Sequence, residues 1–457
     1  MMTESQRAAL AEYAAVKGQC PARERLAALF DDGVYTETGS NLRAGENLAG
    51  VVTAYGYIGG TPAYAFSQDS TVMKGAVSLA HSAKICKMFE LAARNGVPVV
   101  GIYDSCGAFV EDGADALNAY SDILLSMGSL SGVVPMVSVI SGVCAGTMAM
   151  IASSADFSVI TEDAELYLDA SGNNASAESA AKSGAVSAYA KSDAEAMDTV
   201  RRYLSLMPQN NLSPLPEFEF DAPVSAAFDN AENAAESIAD AGSILEVYGE
   251  YGTASYTALC TVSGVTAGIA ATNKTKDKLT SADCSKIARF VRLCDAYSIP
   301  VITVADTEGF DLHGADMVRA GAALAGAYAE ASCAKIALVS GKACGMAYIA
   351  FAGRNVAADA VYALPEAVIA PMDPVSAAEF LYHDKLKGAD DLAAARAQIA
   401  KEYAENEGSA FAAAAKGAAD EVVTAENVRA AVASVLDVTA GKRLNKRLPK
   451  KHNILPL

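Results

Sequence analysis

The chain has 457 residues, 52% of them hydrophobic and none of them Trp, and it carries a formal net charge of −19 at pH 7. This length exceeds what one ordinary hydrophobic core holds, so two domains are expected. The excess of negative charge argues against nucleic acid or an anionic membrane surface as the main partner, although a local basic pocket is compatible with a phosphorylated ligand.

The start of the chain and its cysteines predict a cellular location. Residues Met1–Lys17 are polar and amphipathic and lack the apolar core and cleavage site of a signal peptide. The nine cysteines occur singly, without CxxC pairs or the spacing of metal ligands, and several lie in apolar runs such as Val143–Ala145. This pattern is typical of reduced, buried thiols, so we expect a cytoplasmic protein without a bound metal.

A first structural unit is recognisable between residues 84 and 147. A helical segment, Lys84–Gly96, precedes an apolar strand, Val97–Asp104, and a small-residue loop, Ser105–Ala108. An Ala-rich helical stretch then leads to a second strand, Val134–Ile140, and a turn, Cys144–Thr147. Alternation of longer helical segments with short β-branched runs predicts parallel βαβ units.

The stretch between Asp122 and Asp156 contains no charged residue, which is a feature of membrane-spanning helices. Gly, Pro and Ser residues interrupt it at short intervals, however. A helix, a turn, a buried parallel strand and a second buried helix explain this pattern better than one membrane-spanning helix.

The same order of elements recurs further along the chain. Lys286 opens a second helical segment, which is followed by the strand Ile299–Asp306 and the loop Thr307–Phe310. A further strand, Lys335–Val339, leads to the turn Cys344–Ala347. The sequence therefore predicts two copies of one βαβ unit.

Three landmarks share an offset of 202 residues: the helix Lys (84 and 286), the strand Pro (98 and 300) and the following Asp (104 and 306). This shared offset indicates an internal duplication. The acidic stretch Pro208–Gly242 carries Pro214, Pro216 and Pro223, which would stop regular structure between the copies. We therefore assign residues 1–235 to the first domain and 236–457 to the second.

In each copy, two strands end in turns made largely of small residues. Ligands in open α/β layers collect beyond the carboxyl ends of strands, where backbone N–H groups are unpaired. Such groups can converge on one oxygen and stabilise an enolate or a tetrahedral oxyanion, and small residues let the backbone approach the substrate. The candidate oxyanion-hole residues are Gly107, Gly146 and Thr147 in the first copy, and Gly309, Met346 and Ala347 in the second.

Histidines give no sign of a nucleophilic or acid–base centre. The four His, at 81, 313, 383 and 452, are scattered and form no Ser–His–Asp set. His81 is interpreted as a helix-face residue, and His313 lies in the loop after the second copy's first strand.

Eight segments, in order along the chain, resemble the motifs of one enzyme family: Ala22–Arg25 (ARER), Gly50–Gly56 (GVVTGYG), Phe66–Val72 (FSQDFTV), Asp104–Ala108 (DSGGAR), Cys144–Thr147 (CAGG), Phe290–Ala296 (FVRFCDAF), Lys342–Tyr348 (RKAYGGAY) and Lys451–Leu457 (KHGNIPL). This family is the carboxyltransferases of biotin-dependent enzymes. It includes subunits of propionyl-CoA and acetyl-CoA carboxylases and of methylmalonyl-CoA and glutaconyl-CoA decarboxylases.

The resemblance implies an α/β fold of two tandem crotonase-like domains, with acyl-CoA bound mainly by the first and biotin by the second. By position, Gly146 and Thr147 correspond to one oxyanion pair of the family, and Met346 and Ala347 to the other. The further residues expected to contact the CoA thioester or biotin are Ser105, Ala108, Gly309, Gly345 and Tyr348.

The chemistry that the resemblance implies needs no strong general base. Loss of CO2 from carboxybiotin leaves a ureido nitrogen that takes the α-proton of the thioester, and the enolate then attacks the CO2. The chain has no AMKM-like biotinylation site and no ATP-grasp segment. We therefore expect a separate biotin carboxyl carrier protein, with either a biotin carboxylase or an integral-membrane decarboxylase subunit as a further partner. The resemblance also implies a homo-oligomer, a dimer or a dimer of trimers, whose active sites form between subunits.

Four positions depart from the family pattern. Cys106 and Phe109 replace a Gly and the Arg of DSGGAR, and Thr147 and Met346 each place a side chain at a hole position. A backbone N–H survives any substitution except Pro, so we expect these changes to alter acyl choice or CoA affinity.

Two alternatives follow from these departures and from the fold class. One is a paralogue that binds acyl-CoA or partner subunits without carboxyl transfer. The other is a biotin-independent thioester hydrolase or isomerase that uses Glu111, Asp112 or Glu308 as its carboxylate.

The six basic residues between Lys442 and Lys451 are interpreted as a solvated tail, with CoA phosphates or an acidic partner as the alternative ligand.

Overall fold

A computed structural model of the chain describes residues 2–169, 174–311, 313–314, 316–354 and 356–442. The chain divides into two compact units, Met1–Pro214 and Leu215–Leu457. The predictions for His452 and for the closing segment Lys451–Leu457 concern residues outside these ranges, and most of the basic tail lies outside them as well.

The first unit is built around one mixed sheet. Its helices are α1 (Glu4–Ala15), α2 (Pro21–Leu29), α3 (Leu79–Asn95), α4 (Asp115–Leu130), α5 (Thr147–Ser153), α6 (Ala177–Lys182) and α7 (Asp193–Leu206). Its strands are β1 (Tyr35–Thr38), β2 (Arg43–Ala44), β3 (Asn47–Leu48), β4 (Val51–Ile58), β5 (Thr61–Gln68), β6 (Val99–Ser105), β7 (Met136–Ala145), β8 (Phe157–Thr161), β9 (Glu165–Tyr167) and β10 (Ala188–Ala190).

The strand order of this sheet is β1-β4-β5-β6-β7-β8-β10, and β9 pairs with the end of β7. Strands β1, β4 and β5 are antiparallel neighbours, whereas β5, β6, β7, β8 and β10 run parallel. The parallel strands are buried on both faces, which explains their continuous apolar runs.

The second unit repeats this plan. Its helices are α8 (Ala231–Ile238), α9 (Ser281–Ala296), α10 (Met317–Glu330), α11 (Met346–Phe351), α12 (Pro374–Leu381), α13 (His383–Lys387), α14 (Leu392–Asn406), α15 (Ala410–Ala415) and α16 (Ala425–Thr439). Its strands are β11 (Leu245–Glu246), β12 (Tyr256–Val262), β13 (Val265–Ala271), β14 (Val301–Ala305), β15 (Lys335–Val339), β16 (Lys342–Cys344), β17 (Ala360–Ala363), β18 (Val368–Ala370) and β19 (Glu421–Val422).

The order β11-β12-β13-β14-β15-β17-β19 matches that of the first sheet strand for strand, with the same antiparallel start and parallel remainder. The pair β16–β18 stands where β9 joins β7 in the first unit. The predicted α/β class, with two related parallel units, is confirmed.

The division between the units lies inside the predicted connecting stretch Pro208–Gly242. The domain boundary assigned to 235/236 falls instead within α8. This helix packs its buried face into the core of the second unit, so the contacts place it there and not in a linker.

The main sequence-based elements are present, with shifted starts. Helices α3 and α9 begin at Leu79 and Ser281, ahead of the predicted Lys84 and Lys286. The reason is capping: Ser78 and Thr280 accept hydrogen bonds from backbone N–H groups of the first turn.

The charge-free stretch forms the end of α4, then β7 and α5, as predicted. Among the helices of the described ranges, none combines the length and apolar character that crossing a membrane requires. The expectation of buried thiols is wrong for Cys106, which is exposed because it lies in the loop after β6; five of the nine cysteines are buried.

The two units share a buried lysine at equivalent positions. Lys84 on α3 donates to the carbonyl of Val51, and Lys286 on α9 donates to the carbonyl of Ser255 at 2.8 Å. Their exposed fractions are 6% and 1%. Burial lowers the pKa of each ammonium to about 8, because the charged form loses its hydration.

Each unit also packs an aspartate against a glycine at the carboxyl end of its sheet. A Cβ on Gly142 would lie 2.4 Å from Oδ1 of Asp104, and a Cβ on Gly341 would lie 2.3 Å from Oδ1 of Asp306. Neither glycine can therefore carry a side chain without moving the carboxylate.

Replacing Gly142 with Ala should destabilise the protein by about 1–3 kcal/mol, because the added methyl group overlaps the Asp104 carboxylate. The control is Gly128→Ala on α4, where a Cβ has no atom within 4 Å and helix propensity predicts a gain of about 0.5–1 kcal/mol. Urea unfolding measures both. Equal stability of the two variants would contradict the proposed close packing.

The buried Lys84 should make stability depend on pH. Between its folded pKa of about 8 and its usual value of 10.5, the unfolded chain binds a proton that the folded chain does not. The lysine's contribution to the free energy of unfolding therefore rises with pH through this window. The free energy of unfolding of Lys84→Met, relative to that of the wild type, should therefore fall as the pH rises from 7.5 to 10, by about 3 kcal/mol at most.

The measurement is urea unfolding of both proteins across that pH range. Lys87→Met is the control, since Lys87 lies exposed on the same helix and pairs with Glu90. A pH-independent difference between Lys84→Met and the wild type would show that the ammonium is not desolvated.

Candidate functional site

The two candidate turns of the first unit lie at one edge of its sheet. Strands β6 and β7 are parallel, and Ser105 pairs with Cys144 across them. Gly107 and Gly146 each follow two residues later. The parallel register therefore brings the two predicted turns side by side at the carboxyl end of the sheet, where α/β folds bind ligands.

The loop after β6 is fixed by its own side chain and by a neighbouring segment. The Gly107 N–H donates to Oγ of Ser105 at 3.2 Å, and its carbonyl accepts from the Val77 N–H at 2.9 Å. Gly107 has φ +118°, and a Cβ there would have no atom within 4 Å. The space in front of the loop is open, and exposed Ala108 lies beside it.

The turn after β7 presents a backbone donor at the start of α5. Gly146 precedes α5 with φ 64°, and its N–H donates to the carbonyl of Tyr167 at 2.9 Å. Thr147 is the first residue of α5 and is exposed, and its N–H has no hydrogen-bond partner among the described residues. The Thr147 N–H is therefore the member of the predicted pair that is available to a ligand.

The second unit builds its turns with the same bonds. The Gly309 N–H donates to Oγ1 of Thr307 at 3.1 Å, and the Gly309 carbonyl accepts from the Leu279 N–H at 3.0 Å. The Gly345 N–H donates to the carbonyl of Ala370 at 2.9 Å, as Gly146 does to Tyr167. Duplication thus extends to individual hydrogen bonds.

The second turn exposes Met346 as the first residue of α11, with 59% of its surface accessible. Its N–H also lacks a hydrogen-bond partner within the part of the chain that the structure describes. Ala347 is buried behind it. The Tyr348 hydroxyl donates to the carbonyl of Ala418 at 2.6 Å and so is engaged within its own unit.

The structure brings Gly107 and Ser105 to the same edge as Gly146 and Thr147, and it repeats this arrangement for Gly309, Gly345, Met346 and Ala347 in the second unit. The roles assigned to these residues stay predictions.

Of the described histidines, His81 is unsuited to act as an acid or base at these turns. His81 is completely buried, with Nε2 3.2 Å from Nε2 of Gln68. Burial, assisted by the charge of Lys84, lowers the pKa of His81 to about 3, so the ring is neutral at physiological pH. His313 is exposed, and its N–H donates to Oδ1 of Asp311 at 3.1 Å.

Sequence reasoning missed the groups that hold these turns in place. Arg25 and Ser70 donate to Oδ2 of Asp104 at 2.9 and 2.8 Å, which assigns a structural task to the second Arg of the ARER segment. Ser105 was named as a ligand contact, but the bond of its hydroxyl within its own loop was not anticipated, nor was the matching bond of the Thr307 hydroxyl. The shared 202-residue offset of Ser105 and Thr307 was the signal that could have identified them.

The candidate carboxylates of the alternative mechanism are partly engaged. Asp112 accepts the Leu79 N–H at 3.1 Å, and Glu308 accepts from Lys342 Nζ at 2.8 Å. Glu111 is exposed in the loop before α4.

Comparisons with known proteins place this geometry in a family. The model of the carboxyl transferase domain family matches residues 14–455. The methylmalonyl-CoA decarboxylase subunit alpha of Propionigenium modestum is 33% identical, over 96% of this chain and 94% of its own. The propionyl-CoA carboxylase beta chain of Cereibacter sphaeroides is 32% identical, again over 96% and 94%.

Among solved structures, transcarboxylase 12S, a hexamer with hydrolysed methylmalonyl-CoA bound, matches with a TM-score of 0.87 at 31% identity. The match covers 98% of this chain and 95% of that one. The fold and the paired turns thus define a carboxyltransferase built from two crotonase-type units. The chain belongs to the carboxyl transferase domain family, alongside the carboxyltransferase subunits of acyl-CoA carboxylases and decarboxylases.

Proposed function

We propose that the protein moves a carboxyl group between carboxybiotin, held on a separate carrier protein, and a short acyl-CoA. The observation that carries this proposal is the pair of matching turns in the two units. In each, the N–H of the first helix residue, Thr147 or Met346, has no hydrogen-bond partner among the described residues. Two such turns suit a reaction between two carbonyl-containing partners.

The first unit would hold the acyl-CoA. The Thr147 N–H would donate to the thioester oxygen and stabilise it as the α-carbon loses its proton and the oxygen becomes an enolate. This donor is part of the backbone and is fixed by α5, so no side chain has to reorganise as charge develops. Relatives that act on methylmalonyl-CoA and propionyl-CoA support a short acyl group.

The second unit would hold the biotin end. Its residues fit a small polar group, because a Cβ on Gly309 would have no atom within 4 Å and the Met346 N–H has no partner in the described ranges. Carboxybiotin supplies the carboxyl group and, after CO2 leaves, a basic nitrogen. The protein's part is to orient the ureido oxygen against the backbone donor and to exclude competing water.

The expected partners follow from this division of labour. A biotin carboxyl carrier protein would deliver biotin, and a biotin carboxylase or a membrane decarboxylase subunit would complete the cycle. The hexameric assembly of transcarboxylase 12S supports a homo-oligomer for this chain.

A second candidate function is acyl-CoA binding without transfer. It is favoured by the exposed side chains of Thr147 and Met346 at the two hole positions, where the family motifs have Gly. These side chains would reduce the room for a reacting carbonyl.

The deciding experiment is the reverse half-reaction on purified protein. Malonyl-CoA, methylmalonyl-CoA and glutaconyl-CoA are each incubated with free biotin, and loss of the acyl carboxylate is followed. Biotin-dependent turnover is the expected result. Thioester binding without turnover would favour the second candidate, and biotin-independent loss of the thioester would favour a hydrolase.

The backbone donor can be removed by one substitution. Thr147→Pro deletes the N–H, yet Pro is well accommodated at the first position of a helix. Loss of one oxyanion donor should reduce kcat about 100- to 1000-fold. The matched variant Thr147→Gly keeps the N–H and should be at least 10-fold more active than Thr147→Pro, with urea unfolding confirming that both fold. Equal activities would exclude this N–H as the donor.

A further inference from the structure

A charged cluster lies at the turns of the second unit. The ammonium of Lys342, on β16, donates to Oε2 of Glu308 at 2.8 Å and pairs with the carboxylate of Asp373. Glu308 directly precedes Gly309, and Asp373 caps α12 by accepting the Val375 N–H at 2.9 Å. One side chain thus joins three segments around the candidate biotin site.

The backbone of Lys342 reinforces this connection. Its N–H donates to Oδ1 of Asp306 at 2.8 Å, and its carbonyl accepts from the Thr307 N–H at 2.8 Å. Asp306 and Thr307 lead into the loop of Gly309, whereas Lys342 leads through Cys344 into the turn of Gly345. Lys342 therefore connects the Gly309 loop with the Gly345 turn through both its main chain and its side chain.

The cluster is charged under ordinary conditions. Burial alone would lower the pKa of Lys342, but hydrogen bonds to Asp373 and Glu308 raise it above its usual value. Burial would likewise raise the pKa of Asp373, and the bonds from Lys342 and the Val375 N–H lower it instead. Lys342 is 24% exposed at its side chain and Glu308 58%, so the ion pairs sit at the rim of the site.

The first unit has no such cluster at the corresponding positions. Gly142 contacts Asp104 as Gly341 contacts Asp306, so the two glycines are equivalent. Val143, which follows Gly142, therefore corresponds to Lys342. The 202-residue offset aligns Cys106 with Glu308. The cluster is therefore particular to the second unit and is not a requirement of the repeated fold.

We propose that Lys342 is a positioning residue for the biotin half of the reaction, which holds the Gly309 loop and the Gly345–Met346 turn at the separation that the ureido group requires. This inference rests on the proposed function, because that function assigns biotin to the second unit. It predicts that disturbing Lys342 affects biotin use and leaves acyl-CoA binding in place.

The experiment compares Lys342→Met and Lys342→Arg with the control Lys442→Met. The Lys442 ammonium donates to Asp359 Oδ2 at 2.7 Å and to the Cys333 carbonyl at 2.8 Å, so this first lysine of the basic tail is engaged within its own unit. Asp359 also accepts from the Lys335 N–H, at the opposite end of β15 from Lys342. The reverse half-reaction gives KM values for biotin and for the acyl-CoA.

Lys342→Met should lower kcat/KM for biotin at least 10-fold while KM for the acyl-CoA changes less than about 2-fold, and Lys342→Arg should recover part of the loss. Lys442→Met should leave both constants near the wild-type values. If Lys342→Met behaves like Lys442→Met, or alters both substrates equally, the positioning role is overturned.

Hydrogen exchange tests the positioning role of Lys342 without relying on catalytic turnover. In Lys342→Met, peptides covering Asp306–Phe310 and Lys342–Ile349 should exchange faster than in Lys442→Met. Unchanged exchange would overturn the proposal even in an active enzyme. Wild-type protein without biotin-dependent turnover would overturn the proposed function, and with it the assignment to biotin.

Glu308→Gln, which removes one exposed anchor, should show a smaller effect in the same direction and serves if Lys342→Met does not fold.

Discussion

A carboxylate near the carboxyl end of one parallel strand organises each candidate site. Asp104, next to last in β6, packs against Gly142, and Asp306, directly after β14, packs against Gly341. Arg25 and Ser70 donate to Asp104, and the Lys342 N–H donates to Asp306. A carboxylate in this position must be hydrogen-bonded or paired, because an unsatisfied buried charge would be very costly. Satisfying it fixes how closely the two strands approach, and therefore where the turns after them meet.

The backbone character of the candidate donors explains how the site tolerates unusual side chains. Thr147 and Met346 begin short helices, and their first N–H groups have no partner within the helix. A backbone N–H survives any substitution except Pro, so a change of side chain alters the walls of the site and leaves the donor. Divergence in acyl choice without loss of the oxyanion hole is therefore physically accessible to this fold.

The repeat and the parallel strands could be predicted because they depend on local patterns. Apolar runs bounded by turns identify strands such as Lys335–Val339, and a constant offset identifies the copies. Element starts were less accessible, since the caps Ser78 and Thr280 lie several residues before the landmark lysines. The boundary assigned to 235/236 differs from the division of the contacts after Pro214, because proline content marks irregular chain but does not tell which core a following helix joins.

The polar connections of the site could not be predicted from spacing. Arg25 meets Asp104, and Lys342 meets Glu308 and Asp373, across long separations in sequence. Such pairs depend on which strands are neighbours and on which turn faces which. A single sequence carries no periodic signal for these long-range contacts. Gly107 and Gly309 were correctly placed at the turns, but their N–H groups are taken by hydroxyls two residues earlier.

The equivalent buried lysines, Lys84 and Lys286, have a consequence for the extent of the duplication. Each ammonium is held by carbonyl oxygens of its own unit, Lys84 by Val51 and Lys286 by Ser255 and Gly252. A buried cation needs the oxygens that accept its hydrogen bonds, so the lysine and its acceptors form one structural element. Its presence at the same place in both units indicates that the duplicated segment extended at least from these carbonyls to the lysine of the following helix.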